Sequence, residues 1–148
     1  MELHGVKNNE QVNIISVDLD GNDFYITQEI LKNYTPDLFI VEYNALFFPP
    51  LDFCVEYRPD NIWDGDNYFG CSLSTYNTLF ESKGYFLVCC NLFTGANAFF
   101  VKNEFRDRFP EVPDDIEKKY IPPFYIAGNY RKHHKNSVET INHILAKS

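Results

Sequence analysis

The sequence predicts an α/β fold on a mixed sheet, and three observations lead there. The first is "VNIISVD" at 12–18, an apolar, β-branched run ending in acid, which has the composition and length of a buried parallel strand. The second is a helical pattern followed by another apolar run, "LFIVE", together spanning about thirty residues, the length of a βαβ unit with its right-handed crossover. The third is a pair of apolar runs, near 85–91 and 97–102, parted by a turn so short that they suit antiparallel pairing. The fourth strand is therefore expected to run antiparallel to the third.

Each element follows from local signals. In "GNDFYITQEILKNY", Phe24, Ile26, Ile30 and Leu31 recur near helical spacing. Asp23 stands at the helix start, where a carboxylate meets the positive end of the helix dipole. The second strand is expected near 37–43, ending in Glu42 and followed by Asn44. Residues 46–71 then break the pattern with Pro49, Pro50, Pro59, Gly65 and Gly70, and a loop of that length usually serves function. "SLSTYNTLFESKG" reads as a helix: Ser72 or Ser74 caps it, Leu73, Tyr76, Leu79 and Phe80 form its buried stripe, and Gly84 ends it. Beyond Glu104 the signal weakens into an irregular extension, 104–148, that closes on a helix with Val138, Ile141 and Leu145 on one face.

Composition narrows the function classes. A chain of 148 residues with 45% hydrophobic and 23% charged residues is expected to form one globular domain. A net charge of -8 disfavours nucleic acid, whose phosphates call for cations. The one basic cluster, "YRKHHK" at 130–135, reads as a solvated segment. Aromatic residues make up 17%, enough that some rings should line a surface that meets a ligand. Cysteines at 54, 71, 89 and 90 form no C-x-x-C pair and read as reduced, mostly buried thiols of a cytoplasmic protein. No apolar run approaches the ~20 residues of a membrane helix, and "MELHGVKNNEQ" has no signal-peptide pattern.

The candidate chemistry lies at the strand ends. Asp18 and Asp20 end the first strand, and Glu42 and Asn44 end the second. Ligands of open α/β sheets bind outside such carboxyl ends. If the two strands are neighbours, the acids converge and raise one another's pKa unless a cation relieves them. Mg or Mn held through oxygens is one form of relief, although the residues do not assign a metal site. A paired Asp and Glu can act as general base and as acceptor for a hydroxyl or amine. Alternatively, Asp20-Gly21-Asn22-Asp23 is only a tight turn capping the next helix, with Gly21 at positive φ.

Four motifs in order carry a family resemblance: "IISVDLDGNDFYI", "LFIVEYNALFFPP", "YFGCSLSTYNTLFESKGYFLVCC" and "NAFFVKNEF". Over about residues 13–105 the chain resembles the FkbM-type methyltransferases and their uncharacterised relatives. The resemblance implies a Rossmann-like sheet, with the strands in the spatial order first, second, fourth, third and the fourth antiparallel, and O-methylation of a sugar or small metabolite by S-adenosylmethionine. It implies catalytic roles for Asp18, Asp20 and Glu42, and acceptor contacts for Asn22, Asn44, Trp63, Asp64 and Tyr68. It also implies that the chain corresponds to the C-terminal half of such an enzyme. No G-x-G occurs, and the family's cofactor half has no counterpart here. The chain is then expected to be incompetent alone, or to be a non-catalytic binding subunit that completes another chain. Strand 12–18 is expected to be buried on both faces and to offer its free edge to a second copy or a partner. "VDLDGN" also resembles the first motif of the haloacid dehalogenase phosphatases, but Asn22 replaces the usual Thr and their later Lys and paired Asp are absent.

Overall fold

The computed structural model describes residues 11–60, 62–123 and 137–146. Four strands, β1 (Ile14–Val17), β2 (Leu38–Glu42), β3 (Tyr85–Cys90) and β4 (Asn97–Lys102), form one sheet in the order β1-β2-β4-β3. β1 and β2 are parallel, and β4 runs antiparallel to both its neighbours. This is the order and sense the sequence predicts. Helix α1 (Asp23–Ile30) makes the crossover from β1 to β2, and α2 (Leu73–Ser82) leads into β3.

Alternation explains the core. Ile15, Val17, Phe39, Val41, Ala98 and Phe100 are paired across β1, β2 and β4 and are all buried. α2 packs against them: Phe80 stacks on Phe100 at 4.1 Å between ring centroids and lies 5.2 Å from Phe39. Ser72, not Ser74, caps α2 by accepting the amide of Thr75. Leu73, Tyr76 and Phe80 are fully buried beneath it, while Leu79 is half-buried. The other residues of β1 are exposed, Ile14 at 59%, so this strand is covered on one face and not on both. An apolar run alone does not say which of its faces a neighbour will cover.

The extension after β4 is irregular, as expected, but it is tied to the sheet. A 3-10 helix, Asn103–Arg108, follows β4 directly. Further on, the Tyr43 hydroxyl donates to the Ile121 carbonyl at 2.7 Å, and the Tyr120 hydroxyl donates to the Ala45 carbonyl. Lys119 is nearly buried and donates to the Leu87 carbonyl at 3.1 Å. This segment presses on the β3–β4 turn at Gly95 (φ +63), where a Cβ would sit 2.3 Å from the Pro122 carbonyl oxygen; only glycine fits.

One further expectation needs correction. Cys54 and Cys71 form a disulfide, so these two are not reduced thiols. The long loop doubles back and sets them opposite each other in an antiparallel bridge, a pairing that sequence spacing does not encode. Of the others, Cys89 is exposed and Cys90 is buried. The closing helix α3 (Val138–Ala146) turns Val138, Ile141 and Leu145 outward, at 68%, 51% and 65% exposure. Its polar side faces the protein instead, through Thr140 on Asn67 and the His143 ring on Phe53. The basic cluster at 130–135 lies outside the described residues. Among the described residues, no helix is long and apolar enough to cross a membrane.

Candidate functional site

The register of β1 on β2 builds the site. Ser16 pairs with Ile40 and Val17 with Val41, so one more step along each strand brings Asp18 beside Glu42. The turn after β1 then carries Asp20 back toward them. Asp20, not Gly21, takes the left-handed conformation, at φ +54. Asp23 holds that turn shut: its carboxylate accepts the amides of Leu19 at 2.7 Å and Gly21 at 2.8 Å while lying almost wholly buried. As a result, one carboxylate oxygen from each of Asp18, Asp20 and Glu42 falls within 4.8 Å of the other two.

Electrostatics single out Glu42. Burial first, and then the charges of Asp18, Asp23 and Asp20, push its carboxyl up to about 7. A hydrogen bond to Asp18 adds to the rise in Glu42 and lowers Asp18. When the pair holds one proton, Glu42 therefore carries it and donates to Asp18. Asp18 is raised as well, chiefly by burial and then by Asp20 and Asp23. Of the three, Glu42 is half-buried and the two aspartates are exposed, so the group is open to an incoming hydroxyl.

The long loop lies at this end of the sheet, but most of its predicted acceptor residues are engaged in holding it there. Asn44 is fully buried. It donates to the carbonyls of Asn67 and Phe69 at 3.2 and 2.9 Å, and accepts the amide of Leu46 at 3.1 Å. Asn22 exchanges two hydrogen bonds with the backbone of Arg58. The Tyr68 hydroxyl accepts the amide of Glu56, and its ring packs edge-on against Phe53. Asn22 and Asn44 tie the loop to the strand ends, while Tyr68 braces the loop from within. Trp63 is partly exposed, donates to the Asp66 carbonyl at 2.8 Å and leans on Phe69. Asp64 is exposed.

Sequence reasoning gave no site role to two residues. Asp23 read as a helix-start carboxylate, yet it braces the acidic turn. Tyr76 read as one ring of a core stripe, yet its buried hydroxyl has no hydrogen-bond partner. Only the helical spacing marked Tyr76, and spacing does not say where a phenol oxygen ends up.

A groove of about 570 Å³ opens elsewhere, between α1, α2 and the loop, lined by Tyr25, Tyr57, Lys32 and Lys83 among others. It contains none of the three acids. No protein-family model, no curated protein and no solved structure matches the chain.

Proposed function

We infer that this chain supplies the acceptor side of an S-adenosylmethionine-dependent O-methylation. One observation carries the reading: Asp18, Asp20 and Glu42 converge at adjacent strand ends, where burial and neighbouring charge push the Glu42 carboxyl up to about 7. A base of that strength is well matched to taking a proton from a hydroxyl at physiological pH. Asp18 and Asp20 orient that hydroxyl and any neighbour it has, as acceptors do for a sugar or polyol. Glu42 takes the hydroxyl proton, and its hydrogen bond to Asp18 keeps the carboxyl aimed while it is protonated. The sheet order, with one antiparallel strand between two parallel ones, supports the reading because the resemblance implies the same arrangement.

The described residues do not fit the methyl donor itself. The groove between α1 and α2 contains none of the acids, and among the described residues no glycine-rich turn follows a strand to cradle the donor's adenosine. The reading therefore leaves the donor to a partner sheet. The test is a nuclear magnetic resonance titration of the isotope-labelled chain with neutral monosaccharides, alongside calorimetry with S-adenosylmethionine. The expected result is saturable shifts at the amides of 18–21 and 42–43 with a sugar, and no heat with the donor. A flat response to every sugar contradicts the acceptor role. Micromolar donor binding contradicts the division between two sheets.

A second reading, a binding subunit that completes another chain, is favoured by β1. Among the described residues its outer edge has no strand partner, and such an edge invites pairing. Light scattering across a concentration series is expected to show mass rising above that of one chain. A constant monomer mass contradicts this reading.

A further inference from the structure

The groove between α1, α2 and the long loop plays no part in the chemistry of the acids. Its volume, about 570 Å³, is that of a site for a small molecule. The loop wall of the groove is pinned to α1 on both sides of Tyr57. The Tyr25 hydroxyl donates to the Val55 carbonyl at 2.9 Å, and the Asn22 side chain exchanges two hydrogen bonds with the backbone of Arg58. Between those anchors the Tyr57 ring meets Tyr25 edge-on, at 5.3 Å between centroids, yet Tyr57 is 55% exposed. A ring fixed by its neighbours with more than half its surface open offers contact area to another flat group. Ile26 of α1 and Leu79 of α2, both half-buried against the core, add apolar surface from the helices.

Charge narrows the ligand. The chain carries -8 overall, but the lining of the groove has two lysines against one glutamate. Lys32 is engaged with that glutamate, Glu29, at 2.6 Å. Lys83, exposed at the end of α2, makes no ion pair among the described residues. One available ammonium beside two aromatic rings and an apolar floor is complementary to a flat ring that carries one acidic group. We propose that this groove binds a small aromatic carboxylate, with its ring against Tyr25 and Tyr57 and its carboxylate on Lys83. The site is separate from the acid group and does not depend on the methyl-transfer reading.

The test titrates the isotope-labelled chain with benzoate, and with benzyl alcohol as the neutral counterpart, followed by nuclear magnetic resonance. The expected result with benzoate is saturable shifts confined to the amides of 25–32, 57–58 and 79–83. Benzyl alcohol should bind at the same amides about fivefold more weakly, the margin that one exposed ion pair allows. Lys83→Gln, at an exposed position, should erase that preference and leave the spectrum of the free protein intact elsewhere. Tyr57→Ala should weaken both compounds about tenfold, through lost ring contact. No saturable shift at millimolar benzoate, equal binding of the acid and the alcohol, or a preference that survives Lys83→Gln would overturn the proposal. Shifts centred on 18–21 and 42–43 would put the compound at the acid group and overturn it as well. The sugar titration reads those acid-group amides with another probe, so the two readings fail separately.

Discussion

Asn44→Ala is expected to lower the unfolding free energy by about 3 kcal/mol, the largest effect of any single substitution considered. The side chain is fully buried, and its removal takes one hydrogen bond from each of the Asn67 and Phe69 carbonyls and from the amide of Leu46. The bond to the Phe69 carbonyl is buried, so solvent does not make good its loss. Hydrogen exchange should show the second sign. The amides of Val55 and Ser72 bond to Gly70 and Phe53 across the returning loop, and both should lose protection. The Cys54–Cys71 bond keeps the loop closed, so the change is a loosening and not a release. Urea titration showing a loss under 1 kcal/mol would mean that Asn44 does not hold the loop. Its assignment as an acceptor contact would then reopen.

The second large effect depends on pH. Glu42 ordinarily titrates near 4.5 and is pushed to about 7 in the fold, so the folded state keeps a proton that the unfolded chain has released. Below 4.5 both states are protonated and this contribution to stability is fully present. Between 4.5 and 7 only the unfolded chain ionises, and stability falls as pH rises. Above 7 the loss is complete and the curve is flat. Partial solvent access at Glu42 limits the total to roughly 1–2 kcal/mol. Glu42→Gln copies the neutral acid. It should therefore stabilise the protein by about that amount at pH 8 and leave it unchanged at pH 4, with a chelator present throughout. Equal effects at both pH values would show that the carboxyl is not perturbed.

Much of the scaffold was legible because it rests on local pattern. The apolar runs at 12–18 and 37–43 carry the alternation or burial of strands, and the short "TGAN" turn forces β4 antiparallel to β3. Asp18 and Glu42 could be placed together because parallel neighbours end at the same side of a sheet. What escaped the sequence rests on distant partners. The segment around Lys119 and Tyr120 has no period, yet its groups reach carbonyls on β3 and just after β2. Helix α3 has an apolar stripe that suggests a core face, but Asn67 accepts bonds from Ser137 and Thr140 and turns the stripe outward. The resemblance implies acceptor contacts for Asn22, Asn44 and Tyr68, and a matching motif does not reveal that backbone groups of the loop already bond to those side chains.

The central claim is that adjacent strand ends hold a carboxyl poised near neutral pH. The most direct measurement follows the side-chain carboxyl carbon of Glu42 by nuclear magnetic resonance from pH 3 to 9, in chelator, with Asp18→Asn as the comparison. The expected result is a midpoint near 7 that falls in Asp18→Asn, because the neighbouring charge that raises it is gone. A midpoint near the ordinary 4.5, unmoved by Asp18→Asn, would contradict it.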